Sequence, residues 1–299
     1  MLQSIKTGIS TILDTDIGTD IDDTWALIML LNSPELDLKM VLSATGDTVH
    51  RAEISAKLLE VAGRTDVAIG IGVETRQGPE FKRQSAWVDG YDLEQYPGKV
   101  YKDGVDAMIA MIMSASEPVT ILCIAPATNV AEALKREPRI AAKSRFVGMH
   151  GSIRRGYNNS DKPAIEYNVK ADIPAAKAVF EADWVESIFT PLDTCGMVVL
   201  KDELYCRIKE SQSPLIKALL ENYKIWTYGE EKDRSSVLFD TVAVHLAYST
   251  GYLKMEEMNV SVTDDGFTVI EPSGKKFNCA IEWNDMNAFE HDLVARLLA

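Results

Sequence analysis

The sequence predicts an α/β protein built on one open, mostly parallel sheet with helices on both faces. Two observations carry this. Short apolar runs recur along the first two-thirds of the chain, as strands buried on both faces do. Between them lie segments with helical spacing of apolar residues, and such alternation closes into crossover units. In chain order, strands are expected at 11–16 (TILDTD), 40–45, 67–72, 119–125, 146–150 and 186–191. Helices are expected at 23–33, 51–63, 104–116, 129–137 and 173–183. Segment 201–250 reads as mostly helical, and 259–271 as a hairpin turning at Asp264, Asp265 and Gly266. No internal repeat, low-complexity tract or Pro/Gly-rich linker divides the 299 residues, so one domain over 1–299 is expected.

Composition narrows the function. Hydrophobic residues at 46% and charged residues at 25% exclude a disordered or fibrous chain. The richest apolar run, WALIMLL (25–31), is too short to span a bilayer, so no membrane partner is expected. The N-terminus lacks the apolar stretch and cleavage site of a secretory signal. A net charge of −14 disfavours nucleic acid as partner. Cys123, Cys195, Cys206 and Cys279 form no CxxC pair, which with the missing signal points to reduced thiols and a cytoplasmic location.

The informative segment is LDTDIGTDIDDTWAL (13–27), where Asp14, Asp16, Asp20, Asp22 and Asp23 crowd the end of the first strand and the start of the first helix. Ligands of open α/β sheets bind at the carboxyl ends of strands. Helix capping by Asp20 or Asp22 and a dipole contact from Asp23 would employ some of these carboxylates. Capping gives no reason for five. Carboxylates packed so closely raise one another's pKa unless a cation holds them ionised. With no His or Cys nearby, a hard cation, Ca²⁺ or Mg²⁺, is favoured.

The segment DTDIGTDIDDTWAL resembles the signature of the inosine–uridine-preferring nucleoside hydrolases, in the version with two extra residues between the glycine and the paired aspartates. The likeness continues in chain order. Ala127-Thr128-Asn129 is similar to the family's Leu-Thr-Asn step and Met149-His150-Gly151 to its Met-Gly-Gly. Tyr157-Asn158 is similar to its Gly-Asn, Ile165-Glu166-Tyr167-Asn168 to its Glu-Phe-Asn run, and Leu238-Phe239-Asp240 to its late aspartate. These matches span 11–250.

The resemblance implies hydrolysis of the N-glycosidic bond of a ribonucleoside through an oxocarbenium-like transition state, and a homo-oligomer. It implies Ca²⁺ held by Asp16, Asp23, Asp240 and the Thr128 carbonyl, with Asp16 as general base. It further implies ribose contacts from Asp22 and Asn168, 5′-hydroxyl contacts from Asn158 and Glu166, and substrate contacts from Asp47, Met149 and Asp240. Trp87, Tyr91 and Tyr157 are candidates to stack on a base, and His150 is left without a role. Bland readings stand beside these: Thr128 as a helix cap, Glu166 and Asn168 as a polar rim, Asp240 as a helix-terminal charge.

Two departures stand out. Gly46-Asp47 replaces the usual Gly-Asn, and Phe239 stands where purine-competent members carry a histidine that protonates the leaving base. The loop 84–98 also lacks the family's His-Gly-x-Asp-Gly pattern. One alternative is a phosphohydrolase of the haloacid dehalogenase type with Asp14 as nucleophile. Another is a non-catalytic nucleoside or ribose binder on the same scaffold.

Overall fold

The computed structural model describes residues 8–299. Residues 1–7, on which the reading of the N-terminus partly rests, lie outside the described residues. The strands are β1 (Ile9–Thr15), β2 (Leu36–Ser43), β3 (Ala68–Ile71), β4 (Val100–Tyr101), β5 (Val119–Cys123), β6 (Ser144–Met149), β7 (Glu186–Thr190), β8 (Leu253–Val262), β9 (Thr268–Ile270) and β10 (Lys275–Trp283). They form one 10-stranded sheet in the order β4-β3-β2-β1-β5-β6-β7-β10-β8-β9. Every pairing from β4 through to β10 is parallel; β8 runs antiparallel to β10 and β9 antiparallel to β8. The mostly parallel sheet read from the sequence is therefore the fold, and the hairpin at 259–271 is the β8–β9 pair.

Successive strand residues point to opposite faces, and each face has its own core. Leu13, Val41, Leu122, Val147 and Ile188 pack on one side with the helix Asp22–Leu31 and its buried Trp25. Ile12, Met40, Ile121, Phe146 and Phe189 pack on the other with Met108, Val130 and Phe180. Fully burying such side chains contributes roughly 1.5–3 kcal/mol each, which makes the sheet a stiff platform for what its strand ends carry.

The chain winds outward from β1 in both directions, so the strand order reverses between β1 and β5. Crevices at such switch points, outside the carboxyl ends of the strands, are where ligands bind. The first helix differs from expectation at its start: Ile21 holds the cap position with no side-chain cap, so neither Asp20 nor Asp22 is spent there. The second helix, Thr48–Val61, begins before residue 51 because the Asp47 side chain accepts the His50 amide at 3.0 Å and caps it. No helix among the described residues is long and apolar enough to cross a membrane.

Candidate active site

A cavity of about 440 Å³ opens at this switch point, lined by residues that include Asp16, Asp20, Asp22, Asp23, Glu166 and Asp240. Among the described residues, no lysine, arginine or histidine lines it. The loop after β1 carries Asp16 and Asp20, the first turn of the helix Asp22–Leu31 carries Asp22 and Asp23, and the loop is held from below. The buried Arg51 donates to the carbonyls of Asp16 and Ile17 (2.9 Å for the latter), to Thr19 Oγ1 at 2.7 Å, and through Nε to the Thr45 carbonyl at 2.7 Å. Gly18 completes the turn at φ +105°, where a Cβ would also lie 2.8 Å from Ile54 Cδ1. The sequence offered no sign that Arg51, on the next helix, fastens this loop.

Asp22, Asp23 and Asp240 converge, each offering an oxygen within 4.8 Å of the others. The Thr15 hydroxyl donates to Asp23, and the Asp240 amide donates to Asp22 at 3.3 Å. Asp240 sits in the first turn of the helix Phe239–Leu246, which reaches the cavity from the far end of the chain. Asp16 lines the same cavity outside that trio. Burial raises all four carboxyls: Asp16 to about 6 despite the opposing Arg51 charge, Asp22 to about 8, and Asp23 and Asp240 well above the ordinary value. Buried carboxylates without a basic partner in the cavity are the donor set of a hard cation.

Glu166 caps the short helix Tyr167–Ala171. It accepts the amides of Asn168 at 2.7 Å, Gly151 at 3.0 Å and Val169 at 3.1 Å, while burial lifts its carboxyl to about 7. Gly151 is required there: its φ is +75°, and a Cβ would meet Thr268 Oγ1 at 2.4 Å. Asn168 donates through Nδ2 to the Met149 carbonyl at 3.0 Å, and the residue lies on the cavity wall.

Several residues read from the sequence lie elsewhere. Thr128 does not line the cavity, and its hydroxyl donates to Asp172 at 2.7 Å; Ile124, at the end of β5, is on the wall instead. Nor does Thr128 cap its helix, which starts after Ala127 without a side-chain cap. Asp47 is turned away as the cap described above and pairs with Lys82. Asn158, at φ +57°, is exposed and off the wall. Trp87 and Tyr91 are also off it, bonded to Glu221 and Glu60. Of the three stacking candidates only Tyr157 lines the cavity, joined by Tyr167, Phe239, Leu192 and Met149. His150 is buried beside the Ala125 carbonyl, with its pKa pushed down by burial to about 4. Asp14 is fully buried beneath the site, accepting from Asn129 at 2.7 Å and Cys123 at 3.4 Å, so the nucleophile of a dehalogenase-type reaction has no access to substrate.

A parallel sheet with a carboxylate-lined, partly aromatic crevice at its switch point defines the site of an enzyme acting on a small molecule. The sequence pattern of the inosine–uridine preferring nucleoside hydrolases matches residues 11–291. The chain belongs to that family, whose members hydrolyse ribonucleosides at the N-glycosidic bond. It is 25% identical to a probable uridine nucleosidase 2 of Arabidopsis thaliana, over 92% of this chain and 89% of that one. It is 29% identical to a non-specific ribonucleoside hydrolase of Escherichia coli, over 71% of each. The fold superposes on a plant nucleoside hydrolase with a TM-score of 0.83 at 21% identity, covering 98% of this chain and all (100%) of the other. It superposes on an inosine–uridine preferring nucleoside hydrolase of Bacillus anthracis with a TM-score of 0.77 at 19% identity, covering 97% and 99%.

Proposed function

We propose that this chain cleaves ribonucleosides with a Ca²⁺ ion held by Asp16, Asp23, Asp240 and a backbone carbonyl of the segment that follows β5. The observation that carries the reading is the convergence of buried carboxylates in a cavity with no basic side chain. A hard cation there supplies Lewis-acid polarisation of the attacking water. Asp16, on the cavity wall, takes the water's proton as general base. Asp22 and Asn168 bind the ribose hydroxyls, with Met149 holding the Asn168 amide in place. The ring of carboxylates favours the positive charge that develops on the sugar as the C1′–N bond breaks. Asp47 and Asn158 are left out of this contact set.

A ribose-release screen over purine and pyrimidine ribonucleosides, with and without chelator, tests the reading. No release from any of them in the presence of Ca²⁺ would overturn it. We further propose that the active species is a homo-oligomer, which sedimentation of the purified protein checks.

Two outcomes follow for substrate. Glu166→Gln turns one of the two oxygens that accept the Asn168, Gly151 and Val169 amides into a donor NH₂, and removes the charge of the partner proposed for the 5′-hydroxyl. Its kcat/KM loss is expected to be larger for ribonucleosides than for their 5′-deoxy counterparts; equal losses remove Glu166 from that contact. Phe239 cannot protonate a leaving base, so p-nitrophenyl riboside is expected to be cleaved much faster than inosine when chemistry limits both. Equal rates would mean that a side chain transfers a full proton to the base, because an acid helps the poorest leaving group most.

A further inference from the structure

The cavity wall holds a donor that the sequence did not single out as one. By the family resemblance Phe239 stands where the leaving base is protonated in purine-competent members, and Tyr157 packs edge-on against it, with ring centroids 6.3 Å apart at 77°. Tyr157 is half open to solvent at 38% exposure, so its ring stands at the mouth rather than in the core. Its hydroxyl is nevertheless fixed: the oxygen accepts the Tyr167 amide at 2.9 Å. An oxygen that accepts from a backbone amide keeps its own hydrogen to give, and no protein acceptor takes it among the described residues. The other wall phenol, Tyr167, accepts from Gln77 at 3.3 Å and feels the charges of Asp16 and Arg51.

We infer that the Tyr157 hydroxyl is a catalytic residue that hydrogen-bonds to the departing base, taking the place of the absent histidine. The inference rests on the hydrolytic reading above. As the C1′–N bond breaks, its electron pair passes to the base nitrogen and the charge spreads over the ring. Tyr157 donates a hydrogen bond to that charge and keeps its proton, and the base leaves as an anion that solvent then protonates. The balance requires the phenol to be a weaker acid than the base. Burial provides this by raising the Tyr157 pKa. Preorganised donors of this kind are worth the most where charge appears only in the transition state.

The test is Tyr157→Phe, which keeps the ring against Phe239, assayed in single turnover with inosine, uridine and p-nitrophenyl riboside. Inosine and uridine are expected to slow by at least about 10-fold, below the ~10²–10³ of a full oxyanion-hole donor. The activated riboside is expected to change by less than about 2-fold, since its leaving group needs little help. Equal losses on all three substrates would mark a structural role and overturn the assignment, as would no loss on any. A second measurement keeps the native framework: fluorotyrosine placed at 157, a stronger donor, is expected to speed inosine and not the activated riboside. An unchanged or slower inosine rate counts against the proposal. If wild-type protein with Ca²⁺ frees neither base from inosine nor from uridine, the hydrolytic reading fails and the Tyr157 role with it; wild-type turnover with an insensitive Tyr157→Phe variant refutes the Tyr157 role alone.

Discussion

Asp16→Asn is expected to lower kcat by at least about 10²-fold, the lower end for loss of an acid–base group. The substitution is nearly isosteric, and the loop that carries residue 16 is held by Arg51 through backbone carbonyls that the change leaves intact. The fold should therefore persist, and circular dichroism checks that it does. The amide cannot accept the water's proton, and it weakens the anionic ring by one charge. Purified variant with near wild-type turnover would show that Asp16 is not the base. Supporting residues such as Glu166 should have smaller effects, because they act through binding rather than proton transfer.

Chelation of divalent metal is expected to abolish turnover and to lower thermal stability, with the stability loss depending on pH. Without a cation, the buried carboxyls of Asp14 and Glu166 sit at about 7 and that of Asp22 at about 8, against ordinary values of 3.8 and 4.5. Between the ordinary and the raised values the folded protein binds more protons than the unfolded chain. Stability of the metal-free protein should then fall as pH rises from about 4 to about 8. A bound cation removes the penalty at its proposed ligands Asp16, Asp23 and Asp240, all raised by burial, and its stabilisation grows as those groups lose their protons. The Tm gain on adding Ca²⁺ should thus be larger at pH 8 than at pH 5. A gain that is flat or shrinks with pH would count against these carboxylates as ligands, and activity that survives exhaustive chelation with no metal left by elemental analysis would remove the metal altogether.

Much of the site was legible because its chemistry is concentrated in one run. The segment 14–23 carries Asp16, Asp22 and Asp23 at the end of β1, and all three line the cavity. Glu166 and Asn168, two residues apart, and Asp240, at a helix start, also line it. Asp47 misled because an aspartate after a strand is equally the cap of the next helix, and the cap is what the structure uses. Leu192 and Arg51 escaped notice because nothing in their local sequence marks them, and Tyr167 was quoted within its motif but given no role; they matter through the neighbours that the fold assigns them.

The sequence by itself determined the parallel sheet, since apolar runs separated by amphipathic helices have no other compact way to bury both faces. It also determined that this protein concentrates buried carboxylate at the first strand's end. Only the tertiary structure decided which oxygens meet. Asp240 is separated from Asp23 by more than two hundred residues and reaches it because the helix Phe239–Leu246 packs on the helix Asp22–Leu31. Ile124 lines the cavity and Thr128 does not, and a ligand that is a backbone carbonyl is the same in every residue and leaves no side-chain signature to read. The C-terminal strands make the same point: β10 enters beside β7 and displaces the β8–β9 hairpin outward, a choice of neighbour set by packing between distant segments. Local pattern specifies an element's type and buried face, whereas a site is made of distances between elements, and those exist only once the chain has closed on itself.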